Sequence, residues 1–65
     1  MRVFKVSAGS HGWQLSGLGE PTFYPSGGRA EAAARRLAAA AARNGERVEL
    51  HVFDRGGTLA AQLRF

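Results

Sequence analysis

The sequence predicts an α+β fold. It is a two-layer sandwich with a mostly antiparallel sheet of four strands, a short fifth being at best an edge strand. One helix packs on one face, in the order β-β-(β)-α-β-β. Three observations lead there. One stretch, Gly28 to Gly45, reads as a long helix. The segments before and after it alternate apolar and polar residues with the period of strands. Turn residues cluster between those segments, above all in Asp54-Arg55-Gly56-Gly57.

Arg2 to Ser7 sets Phe4 and Val6 against Val3 and Lys5, the pattern of a half-buried strand. Ala8 to Gly12 is rich in turn residues and returns the chain into Trp13-Gln14-Leu15-Ser16. The two segments form a hairpin whose core face is Phe4, Val6, Trp13 and Leu15. Trp13 is expected to anchor the core, and Trp13→Ala to cost about 3–5 kcal/mol and unfold the chain. Gly17-Leu18-Gly19-Glu20-Pro21 reads as a loop. Its two glycines begin like a dinucleotide fingerprint but lack the third glycine and the helix that must follow at once. Thr22-Phe23-Tyr24 favours a strand but is short and flanked by prolines.

Ten of the fifteen residues from Arg29 to Arg43 are Ala or Leu, with no Gly, Pro or β-branched residue among them. Alanine loses no side-chain entropy on entering a helix, so this run propagates one strongly. Ser26 or Gly28 can cap the start. Arg43 in the last turn and Asn44-Gly45 after it mark the stop. A step of about 100° per residue places Ala30, Ala33, Ala34, Ala40 and Ala41 around Leu37 as the buried face. Glu31 and Arg35 form a favourably ordered i,i+4 pair, worth about 0.2–0.5 kcal/mol. Arg29, Arg36 and Arg43 recur every seven residues and line one flank at intervals of about 10 Å.

After the helix, Arg47 to Phe53 puts Val48, Leu50 and Val52 on one face and Glu49, His51 and Phe53 on the other. Thr58 to Phe65 follows the turn as the last strand, with Leu59, Ala61, Leu63 and Phe65 toward the core. One helix covers one side of such a sheet. The open side would carry Val3, Lys5, Gln14, Ser16, Glu49, His51, Phe53, Gln62 and Arg64.

Sixty-five residues make a single small domain, 1–65. Such a core rarely supplies more than about 3–5 kcal/mol without a staple. The chain has no cysteine, which excludes disulfides and thiolate metal sites. No apolar run approaches a membrane span of about 20 residues, and the N-terminus does not read as a signal peptide. A cytoplasmic protein is expected.

The residues then resemble a family. Gly12-Trp13-Gln14-Leu15, Ser26 before an Ala-rich helix with Ala33, Ala34-Arg35 and Ala38, Glu49-Leu50-His51-Val52, and the Gly-Gly turn before Leu59 carry the likeness. Together they resemble the small bacterial family of unknown function called DUF2188, over most of the chain from Gly12 to Leu59. The chain departs in Phe53-Asp54-Arg55 before the turn and in the two glycines before the helix. That family has no assigned activity, so the resemblance implies an architecture and no chemistry.

No catalytic, cofactor-binding or metal-ligating set is predicted, and the chain is not expected to be an enzyme. His11 sits in a turn beside Ser10, and His51 stands two residues from Glu49 on the same side of a strand. Two histidines without thiols make a poor metal set. What remains is a binding module. The net charge of +4, the Arg29, Arg36 and Arg43 stripe, and Lys5 and Arg64 on the open face suit nucleic acid. Val3, His51 and Phe53 on that face suit instead a protein partner or a second copy of the chain. An exposed aromatic pair for stacking bases is not apparent.

Overall fold

Period-2 alternation decides which strand residues face the helix, and the helix alanines decide how closely it approaches. The structure is a computed structural model and describes residues 1–17 and 19–65. The predicted Gly17–Pro21 loop therefore lies partly outside the described residues, at Leu18. The elements are β1 (Arg2–Gly9), β2 (Gly12–Ser16), β3 (Thr22–Tyr24), α1 (Gly27–Arg43), β4 (Val48–Phe53) and β5 (Leu59–Arg64). The fold is α+β, with Thr22–Tyr24 forming the fifth strand.

The strand order is β3-β2-β1-β4-β5. β1 and β2 form a tight hairpin in which Gly9 pairs with Gly12, so the reversal is shorter than Ala8 to Gly12. β2–β3 and β4–β5 are also antiparallel. β1 and β4 are parallel, with Phe4 beside Leu50 and Lys5 beside His51. A parallel neighbour needs a long crossover, and α1 supplies it between β3 and β4.

Ser26 is the N-cap: its hydroxyl oxygen accepts from the Arg29 N–H at 3.2 Å. The helix therefore begins at Gly27, inside the glycine pair. Arg43 occupies the last turn, Asn44 is the C-cap, and Gly45 follows at φ +87°, the left-handed conformation that ends the helix. Glu31 and Arg35 meet at 2.8 Å, as their spacing predicts.

The core is Phe4, Val6, Leu15, Val48 and Leu50 from the sheet and Ala30, Ala33, Ala34, Ala38 and Ala41 from the helix. The helix is thus rotated from the sequence-based expectation. Ala38 is buried, Ala40 is only partly so, and Leu37 is 37% exposed at the margin. Methyl groups on every side of α1 leave its rotation to packing. The sheet takes the side on which Ala30, Ala34, Ala38 and Ala41 allow the backbone closest.

Trp13 lies on the helix side but at the edge of the core. Its ring rests on Gly27, where an added Cβ would sit 3.1–3.2 Å from the indole. The Arg55 guanidinium stands 5.8 Å from its ring centroid. The last strand departs from expectation more. The helix packs on β1, β2, β3 and β4 but not on β5. Leu59 and Phe65 are 45% and 40% exposed, whereas Leu63, beside Leu50, packs against the core. An irregularity opposite Val52 and Phe53 also shifts the register, so that Leu59 pairs with Phe53.

Candidate functional site on the open sheet face

Phe4, Val6, Leu15, Val48 and Leu50 turn inward, so their neighbours along each strand turn to the side that α1 leaves bare. Cross-strand register then arranges that side in rows. Phe23 on β3 is opposite Gln14, and Gln14 is opposite Ser7. The β1–β4 register, continued by one residue, brings Phe53 beside Ser7. A second row runs Ser16, Lys5, His51, Gln62, and a third Val3, Glu49, Arg64.

The third row centres on a carboxylate. Glu49 is only 8% exposed although no helix covers it. Its Oε1 accepts from His51 Nε2 at 2.9 Å and from Gln62 Nε2 at 3.1 Å. Arg64 Nε lies 3.3 Å from Oε2. The hydrogen bond from His51 holds the Glu49 carboxyl below the usual carboxylate range. The bond from Gln62 and the charges of Arg64 and His51 add to this, against the opposing effect of burial.

A depressed carboxyl contributes stability that is present above the unfolded carboxylate range and is lost as pH falls through the folded value. Acid titration followed by Trp13 fluorescence should show wild type losing stability over that interval. Glu49→Gln should flatten the loss there. Equal acid sensitivity in both proteins would mean that Glu49 is not the group responsible.

At the end of the sheet where β1 and β4 finish, Ser7, Ala8, Phe53 and the Asp54–Gly57 turn line a cleft of about 360 Å³. The turn is held by Asp54 Oδ1, which accepts from the Gly56 and Thr58 N–H groups, each at 2.9 Å. That carboxylate is therefore engaged by backbone, and Arg55 projects from a braced turn.

The predicted contact residues divide between two layers. Lys5 and Arg64 lie on the open face, whereas Arg29, Arg36 and Arg43 are exposed on α1, which packs on the other face. No carboxylate among the described residues pairs with any of those three arginines. Arg64 is already engaged with Glu49, which among the described residues leaves Lys5 as the free cation of the face's centre. Val3, His51 and Phe53 are half-buried. The residue that sequence reasoning missed is Phe23, 51% exposed on the open side. Pairing of Gln14 with Phe23 puts it there, and a strand of three residues between prolines gave little signal of that register.

Comparison with models of known families, with curated proteins and with solved structures returns no match for this chain. Among the described residues, no helix is long and apolar enough to cross a membrane.

Proposed function

We propose that the chain is a non-catalytic module that binds single-stranded nucleic acid across its open sheet face. One observation carries this reading: Phe23 and Phe53 stand on the same side of one cross-strand row, with Gln14 and Ser7 between them. Three strand spacings separate the two rings, about 14 Å. Bases have apolar faces and polar edges. Aromatic rings offer the faces a platform, while an amide and a hydroxyl between them meet the edges. The cleft beside Phe53 is at the small end of ligand pockets, about 300–1,000 Å³.

Electrostatics support the same reading. Glu49 would repel phosphate if it were free, but Arg64 neutralises it at Oε2 and His51 and Gln62 both donate to Oε1. Lys5 is then the cation beside the aromatic row, and Arg55, whose guanidinium stands over Trp13, lies at its end, in the cleft that Phe53 lines. A duplex presents its bases edge-on within grooves and cannot stack on this surface, so unpaired strands are the expected ligand.

The test is fluorescence anisotropy with single-stranded and duplex oligonucleotides at several salt concentrations. Two phosphate contacts predict a slope of log K on log salt of about −1.4 for a single strand. Lys5→Ala should make it shallower by about 0.7. Phe23→Ala should cost about 1–3 kcal/mol, a weakening of roughly 5- to 150-fold, without unfolding an exposed edge position. Absence of binding at low salt would refute the reading. Duplex binding that survives Phe23→Ala and disappears when Arg29, Arg36 and Arg43 are replaced would move the interface to the helix.

A further inference from the structure

We propose that a second copy of this chain pairs with β5, joining two sheets edge to edge about a two-fold axis. This inference does not rest on the nucleic-acid reading. The sheet has two edges, and they are unequal. β3 is three residues long and lies between Pro21 and Pro25, which blunts it. β5 is twice as long, has no proline, and carries one charge, Arg64.

The backbone of β5 shows which groups are free. Phe65 N–H donates to Val48 O at 3.0 Å, toward β4. In an antiparallel strand, alternate residues turn both backbone groups to opposite sides. Leu63 and Ala61 therefore face β4, while the N–H and C=O groups of Gln62 and Arg64 face outward. Water satisfies them in a monomer. Another strand of the same pattern would satisfy them in a dimer.

The side chains name that strand as β5 itself. The regular part of β5 begins at Ala61, after the register shift opposite Val52 and Phe53, and its antiparallel overlap with a copy centres on Gln62, a residue with outward backbone groups. Gln62 then pairs with Gln62 of the second copy, an exchange of two backbone hydrogen bonds. Leu63 lies opposite Ala61, a large residue against a small one, and the ladder ends where Arg64 reaches the irregularity at Ala60. No charge meets its own kind. Both helices lie on the same side of the joined sheet, and the strip that α1 does not reach, with Leu63 and Phe65, becomes the floor between them. The open face continues unbroken across the axis.

Sedimentation from micromolar to millimolar concentration tests this together with amide exchange by NMR. Wild type should pass from monomer to dimer, and the Gln62 and Arg64 amides should gain protection over the same range. Gln62→Lys sets like charges opposite each other at the axis. Gln62→Pro removes an outward donor and leaves the backbone bonds to β4 in place, and like Gln62→Lys it gives up the side-chain bond to Glu49. Both variants should remain monomeric at every concentration, with folding verified by circular dichroism. A wild-type monomer at millimolar concentration would overturn the proposal. So would a dimer that both folded variants retain, or Gln62 and Arg64 amides whose exchange ignores concentration. If Gln62→Pro unfolds, Gln62→Lys and the wild-type amides decide alone.

Discussion

Phe4→Ala is expected to unfold the chain. Phe4 is fully buried on β1, the middle strand of the sheet, with β2 on one side and β4 on the other. The helix face above it consists of methyl groups. Alanine side chains have no rotamers with which to fill a space, so a cavity opened beneath them stays open. Truncating a buried phenylalanine costs about 3–5 kcal/mol. A domain of this size without a staple has roughly 3–5 kcal/mol in all.

Trp13→Ala, which sequence alternation makes the most damaging change, should cost less than Phe4→Ala. Its ring is at the rim, between Gly27 and the Arg55 guanidinium, so part of the vacated space opens to solvent. Urea titration by circular dichroism orders the variants. Wild type should have the highest midpoint, Trp13→Ala a lower but cooperative transition, and Phe4→Ala no folded baseline. A Phe4→Ala protein with a midpoint above that of Trp13→Ala would place the energetic centre of the core at the wrong residue.

That reordering shows which features local sequence carries. The faces of β1 and β4 were legible, because Phe4 and Val6, and Val48, Leu50 and Val52, alternate strictly with polar neighbours. The Asp54–Gly57 turn was legible because Asp54 can bond backbone ahead of it. The rotation of α1 was not, since alanine occupies most of its circumference. Nor was the exposure of Leu59 and Phe65. Their alternation is that of a core strand, but the register shift pairs Leu59 with Phe53 on the side that α1 leaves bare, and the crossover does not carry the helix as far as β5, where Phe65 follows.

The open face divides in the same way. Lys5, His51 and Phe53 were placed there by alternation alone. The masking of Glu49 requires Gln62 and Arg64 of β5 to arrive in a particular register. The Phe23–Phe53 row requires four strands to align. Non-local register is what a single alternating segment does not specify.

Gly17→Ala and Gly28→Ala should change stability in opposite directions, although both replace hydrogen with methyl at exposed glycines. Gly17 has φ +119°, and an added Cβ would lie 2.5 Å from the Val3 carbonyl oxygen and 3.1 Å from Phe4. Holding a residue with a side chain in such a conformation costs about 1–3 kcal/mol. The neighbours in its way are the backbone and ring of the core's central residue, not a side-chain tip that can swing aside. Overpacking of that kind adds roughly 1–3 kcal/mol, so the whole penalty approaches the stability of the domain.

Gly28 is in the first turn of α1, with nothing within 4 Å of an added Cβ and no left-handed backbone. Alanine there restricts the unfolded chain at no steric cost, which should stabilise by about 0.4–1 kcal/mol. For a domain of this size that raises the thermal midpoint by roughly 2–8 °C. Calorimetry of the two variants beside wild type separates a requirement for glycine from its mere presence. A Gly17→Ala midpoint equal to that of wild type would mean that the chain leaves β2 by another path.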